Sequence, residues 1–179
     1  MTAVHALTEP PPADFDALYE THVDSVWRLL QRFGVPEASL DDATQEVFVV
    51  AFRRLPEFRG QSSLKTWLLG IAVRIAKDVR RQRARKGGLE PLDQQRHLAA
   101  VGQPDETAMQ RQALAQALAL LDQLDEDQRT VLVLADFEEL TAPEIAQATG
   151  VNLNTIYTRL RAARLRFNAL LEAHQKDTP

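Results

Sequence analysis

The 179-residue chain contains no cysteine. That excludes disulfides, thiolate metal sites, thiol nucleophiles and any direct thiol redox switch. Histidine is scarce too: His5, His22, His97 and His174 are scattered without ligand spacing, so neither a metal nor a cofactor is expected. No apolar run approaches the length of a membrane span, and the N-terminus lacks the basic, apolar, small-residue order of a secretory signal. No membrane insertion is expected, and the expected location is cytoplasmic. No stretch alternates apolar and polar residues with the period of a strand, and no segment repeats. The expected fold class is therefore all-α.

What is present is a 45% apolar composition, enough for one ordinary core or two small ones. The net charge of −4 conceals an uneven distribution. Residues 1–50 hold nine acids and two bases, Arg28 and Arg32. Arg74 to Lys86 holds seven bases and one acid, Asp78. Arg159, Arg161, Arg164 and Arg166 follow one another near the C-terminus with no acid between them. The two ends of the chain are built for different partners.

Residues 1–13, with three consecutive prolines, read as a flexible tail. From a cap at Asp14, Phe15, Leu18, Val23, Val26, Trp27, Leu30 and Phe33 keep helical spacing until Gly34 and Pro36. Ser39 to Asp42 resembles a capping box opening a helix through Phe52, and Leu55-Pro56 ends it. Ser62 or Ser63 caps a third helix, whose Leu64, Leu68, Ile71, Ile75 and Val79 make one apolar face beside a stripe of Arg74, Lys77, Arg81 and Arg85. Residues 14–86 are thus expected to form an N-terminal helical domain. Residues 87–108, with three glycines and two prolines, have linker chemistry. A C-terminal domain, 109–174, begins with a helix marked by Leu114, Leu118, Leu121 and Leu124. A capping box at Asp125 to Gln128 opens a helix carrying Val131, Leu132, Leu134 and Ala135, and another at Thr141 to Glu144 opens a short helix that meets Gly150. A last helix starts near Asn152 and runs to about Ala173, with Ile156, Leu160, Ala163, Phe167 and Leu170 inward, leaving 175–179 as a tail. The expected architecture is two small helical domains on a flexible linker, the second holding a helix-turn-helix.

Three stretches carry chemistry. In Phe58 to Lys86, the loop Arg59-Gly60-Gln61-Ser62-Ser63 offers small hydrogen-bonding groups beside Lys65 and Trp67, with cations behind. That composition suits an unstacked base held by its edges while Arg74, Lys77 and Arg81 meet phosphates. The alternative is a solvated amphipathic helix. In the helix-turn-helix, Thr155, Tyr157, Thr158, Arg161 and Ala162 fall on the outer face of the second helix, where such residues enter a major groove. A helical hairpin with a solvated basic face is the alternative. On the acidic helix, Asp42, Gln45 and Glu46 share one face, suited to a basic protein surface; a solvated face is again the alternative, and no third carboxylate or histidine supports catalysis there.

Taken together, these motifs resemble the extracytoplasmic-function sigma factors of bacterial RNA polymerase. DDATQEVF is similar to the family's polymerase-binding D-L-V-Q-E-x-F. FRGQSSLKTWLLGIA is similar to its promoter-melting F-R-G-x-S-x-F-x-T-W-L-Y-R-I-A, with Leu69 and Gly70 standing where the pattern has Tyr and Arg. LTAPEIAQATGVNLNTIYTRLRAAR resembles its promoter-reading helix-turn-helix, with Tyr157 in place of a common Lys or Arg. The resemblance implies a non-enzymatic sigma factor whose partners are core RNA polymerase, promoter DNA and an anti-sigma factor. It implies that Asp42, Gln45 and Glu46 dock on the polymerase largest subunit. Arg59, Gly60, Gln61, Ser62, Ser63, Lys65 and Trp67 would capture a flipped base of the minus-10 strand, with Arg74, Lys77 and Arg81 beside it. Thr155, Tyr157, Thr158, Arg161 and Ala162 would read the minus-35 element. The opposing expectation is a stand-alone helix-turn-helix regulator, which would carry a sensing or dimerising module in place of residues 14–86.

Overall fold

The computed structural model describes residues 15–85 and 108–177, which contain seven α-helices and no strand. Helices α1 (Phe15–Arg32), α2 (Leu40–Arg54) and α3 (Leu64–Arg85) form an N-terminal bundle. Helices α4 (Ala108–Asp122), α5 (Glu126–Leu132), α6 (Ala142–Thr149) and α7 (Leu153–Asp177) form a C-terminal one. The expected N-terminal tail and, apart from Ala108, the expected linker lie outside the described residues. At the other end α7 continues to Asp177, past the expected stop. Nothing in His174-Gln175-Lys176 breaks a helix, and a cation in the last turn complements the helix dipole.

The apolar periodicity does what it predicts in the N-terminal bundle. Val26, Leu29, Leu30 and Phe33 meet Val47, Phe48 and Ala51 of α2 and Leu68, Ile71 and Ala72 of α3, all buried. Each large apolar side chain so buried contributes about 1.5–3 kcal/mol relative to exposure. In the C-terminal bundle Leu118, Leu121, Leu124, Val131, Leu134, Ile145, Ile156 and Ala163 share the same contiguous core.

The caps divide. Ser63 caps α3: its Oγ accepts the Thr66 N–H at 3.0 Å. Asp125 caps α5 by accepting from the Gln128 N–H at 2.7 Å. At Thr141 the backbone N–H and the hydroxyl both donate to Glu144 Oε2, at 2.8 and 2.7 Å. The box expected at Ser39 does not form. Ser39 ends a single 3-10 turn with ψ near 0°, and its side chain makes no cap bond. The extended backbone of Asp125 (ψ 164°) and Thr141 (ψ 157°) is what aims a cap side chain back at the first turn. α2 also outlasts its expected end at Phe52 by two residues.

Two departures matter more. The helix expected to carry Leu134 and Ala135 stops at Leu132 and continues as a π turn, Val133–Phe137. The Glu138 N–H donates to Val133 O at 3.1 Å and the Leu140 N–H to Leu134 O at 2.9 Å, with Glu139 at φ 60°. The extra residue in the turn carries Glu138 inward, to 6% exposure. The second departure is in α3, where Leu69, Gly70, Val73 and Ala76 are buried in addition to the expected face. They are covered because the two bundles pack on each other, with α6 lying along α3. At Gly70 a Cβ would stand 2.7 Å from the Ala148 carbonyl oxygen, so only glycine allows this approach. Gly150, at φ +72°, then turns the chain from α6 into α7.

Candidate nucleic-acid interface

The loop between α2 and α3 and the first turns of α3 enclose a cavity of about 400 Å³. Arg59, Gln61, Ser62, Trp67 and Arg74 line it, together with Phe58 and Arg54. Its size falls within the range of small-molecule sites. The Phe58 and Trp67 rings lie 5.2 Å apart at 45°, giving an aromatic wall. Ser62 donates to Ser63 O at 3.1 Å, and Ser63, occupied as the cap of α3, does not line the cavity. Gly60 takes φ 66°, the left-handed turn that brings the loop round. The cap used one of two adjacent serines that composition could not tell apart, and Phe58, read only as the start of the stretch, joins Trp67 in the cavity wall.

The basic stripe is not uniformly free. Arg74 is exposed at the cavity edge. Lys77 pairs with Glu126 Oε1 at 3.4 Å and Asp127 Oδ1 at 3.6 Å of the C-terminal bundle. Lys65 donates to the Glu138 carbonyl at 2.9 Å. Arg81 pairs with Asp78 at 3.1 Å, an exposed contact along its own helix. The far wall of the cavity is Gln147 and Ala148 of α6, and Gln147 Nε2 donates to Gln61 O. Four groups expected at a single-stranded DNA site therefore have partners here, three of them in the C-terminal bundle.

On α7, Tyr157, Thr158, Arg161 and Ala162 are exposed on one side of the helix, while Thr155 is half-buried. Thr158 donates to Asn154 O at 3.0 Å. Arg164 pairs with Asp136, which raises its pKa further through that hydrogen bond and anchors α7 to the π turn. Asp42, Gln45 and Glu46 are exposed on α2, with Ala43, Thr44, Val47 and Phe48 turned into the core. Beside Gln45 runs an apolar groove lined by Tyr19, Phe48, Val49 and Phe52.

Two buried ionic groups were invisible in the sequence. Arg129, fully buried, donates through Nε to Leu121 O at 2.8 Å and through Nη1 to Phe33 O at 3.1 Å, and its Nη2 sits 2.7 Å from Asp122. Burial pushes its pKa down from the ordinary arginine value, and Asp122 opposes that shift. Glu138 pairs with Arg32 at 2.7 Å while the Arg32 guanidinium lies 5.0 Å from the Phe137 ring centroid. Burial raises the Glu138 pKa, with Arg32 and then Lys65 opposing. Neither residue was singled out in the sequence: Arg129 turns in between Leu121 and Phe33, and the π turn carries Glu138 to Arg32.

Comparison with known proteins gives the arrangement its context. Residues 18–86 match the family model for sigma-70 region 2, and residues 114–167 the model for sigma-70 region 4. The ECF RNA polymerase sigma factor SigX of Bacillus subtilis is 33% identical over 148 residues, covering 80% of this chain and 76% of that protein. The structure of CnrH in complex with the cytosolic domain of CnrY superposes with a TM-score of 0.68 at 26% identity, covering 89% of this chain and 88% of that one. The sigma factor RpoE of Bartonella quintana, solved with the anti-sigma factor NepR, shares the fold at a TM-score of 0.69 and 22% identity, over 89% of this chain and 97% of that one. Two sigma regions in order and a relative of this identity over most of both chains establish the family: the chain belongs to the extracytoplasmic-function sigma factors of the sigma-70 family, the RNA polymerase subunits for promoter-specific transcription.

Proposed function

We propose that the chain joins core polymerase through Asp42, Gln45 and Glu46, reads a minus-35 element with α7, and holds one flipped base of the minus-10 strand in the cavity of Arg59, Gln61, Ser62 and Trp67. The observation that carries this reading is that cavity: an aromatic wall, a loop of hydrogen-bonding groups and Arg74 meet around one space of about 400 Å³. Gly60 shapes the loop, Ser63 fixes its junction with α3, and Lys65, Lys77 and Arg81 supply positive charge along the same helix. Tyr157, Thr158, Arg161 and Ala162 present the groove-facing surface of α7, with Thr155 at its edge. The factor performs no chemistry of its own in this scheme; the polymerase does.

Energetics divide the labour. Opening about ten base pairs costs on the order of 14 kcal/mol in stacking, whereas one captured base returns about 1–3 kcal/mol. The protein alone cannot hold a bubble open, so polymerase docking is as necessary as base capture. An anti-sigma factor completes the partners, supported by the partner chains on the solved relatives.

The test is transcription in vitro with bacterial core polymerase on fragments of the source genome. Starts sharing two upstream motifs are expected only with the protein added. Asp42→Lys with Glu46→Lys is expected to abolish holoenzyme formation while circular dichroism stays unchanged. Normal holoenzyme formation by that variant would remove the docking role.

A further inference from the structure

α3 carries a glycine, Gly70, in mid-helix. A glycine there costs about 1 kcal/mol relative to alanine. Its neighbours supply the reason, since Gly70 lies against the backbone of Ala148, where a Cβ would stand 2.7 Å from the carbonyl oxygen and 3.3 Å from Cα. The family pattern has Arg at this position, a side chain that cannot share the space with α6. We propose that α6 is an intramolecular plug: in the free chain it seats Ala148 on Gly70 and Gln147 on Gln61, closes one side of the base-binding cavity, and keeps the protein off single-stranded DNA until the bundles separate. The inference rests on the reading of that cavity as the base site.

The contacts that hold the plug support it by their identity. Lys65 is bound to the Glu138 carbonyl, Lys77 to Glu126 and Asp127, and Gln61 to Gln147. These are groups assigned to DNA, so the C-terminal bundle and DNA compete for them. The acids of the C-terminal bundle take the places phosphates would take. The Lys77 pairs are also weak enough to open: their acids are 40% and 45% exposed, and such pairs are screened by salt. Arg32, the last residue of α1, with Glu138, and Arg129 with Phe33 O also join the two bundles. Closure therefore combines one steric fit, at Gly70, and buried contacts at Arg32 and Arg129 with exposed Lys77 pairs that a competing polyanion can replace.

The decisive variants are at Gly70, which also lines the cavity: Gly70→Leu, which improves helix propensity, adds no charge and blocks α6, reports opening, and Gly70→Ala, whose single Cβ already meets Ala148 O at 2.7 Å, reports binding with the cavity left open. Because the chain has no cysteine, spin labels can be placed at Asp24→Cys and Asn168→Cys alone, and the distance between bundles read in the full-length protein. Wild type is expected to give one narrow distance and Gly70→Leu a longer, broad one. Binding of a fluorescent single-stranded promoter oligonucleotide by Gly70→Ala is expected to tighten about tenfold or more, as removal of a dominant closed form requires. Glu126→Lys, which repels Lys77 without touching the cavity, is expected to act in the same direction. A broad wild-type distance, or a Gly70→Leu distance equal to wild type, overturns the plug. Opening without tighter binding also overturns it, provided Trp67→Ala weakens oligonucleotide binding by the polymerase complex. If Trp67→Ala has no effect there, the base-site reading itself falls, and the plug with it.

Discussion

Truncating Arg129 to alanine is expected to cost about 3 kcal/mol of stability and to uncouple the two bundles. The guanidinium is fully buried, hydrogen-bonds to Leu121 O and Phe33 O, and forms an ion pair with Asp122. Breaking a buried ion pair by removing one partner costs about 3–5 kcal/mol. Two features push the value to the lower end. Asp122 is 30% exposed, so water can solvate the carboxylate left behind. Phe33 O keeps a second donor, Arg80 Nη1, at 3.0 Å. What is lost outright is the bond to Leu121 O and one of the links between the bundles. At this chain length about 3 kcal/mol corresponds to a fall in Tm of roughly 6–12 °C. Urea unfolding followed by two probes gives the sharper reading, since both tryptophans, Trp27 and Trp67, lie in the N-terminal bundle. Fluorescence reports that bundle alone, and far-ultraviolet circular dichroism reports both. In the wild type the two curves are expected to coincide; in Arg129→Ala the dichroism is expected to fall first. Arg129→Lys is expected to recover little, because one ammonium cannot reach three acceptors held in a fork. A loss below about 1 kcal/mol, or coincident curves in Arg129→Ala, would refute the reasoning.

Two further expectations follow from the geometry. Burial raises the Glu138 pKa, so its contribution to stability is complete below the ordinary glutamate value and diminishes as pH rises through the raised one. Glu138→Gln is expected to remove that part of the pH dependence, with the stability difference from wild type shifting in favour of Gln as pH rises above the ordinary glutamate value in urea titrations; a difference that stays constant with pH would contradict it. Arg161→Ala is expected to lower discrimination at one base pair of the minus-35 element by about 1–3 kcal/mol in competition binding, whereas an equal loss on every sequence would identify a phosphate contact.

The amino-acid sequence alone determined the helices, because their apolar residues recur every three or four positions and that period needs no partner to be recognised. Asp125, Thr141 and Gly150 mark their helix ends for the same local reason: a cap or a left-handed turn is decided within four residues. The cavity residues Arg59, Gln61, Ser62, Trp67 and Arg74 were also legible, being close in sequence on one loop and one helix. Only tertiary structure decided the rest. Ser39 had the right type for a cap but the wrong backbone, fixed by the 3-10 turn before it. The π turn after Leu132 and the inward Glu138 answer to Arg32, 106 residues away, and Arg129 to Phe33, 96 residues away. Gly70 shows the difference most clearly: in sequence it is a weak point in a helix, and its use appears only when a second helix, from the other bundle, arrives closer than van der Waals contact to its missing side chain.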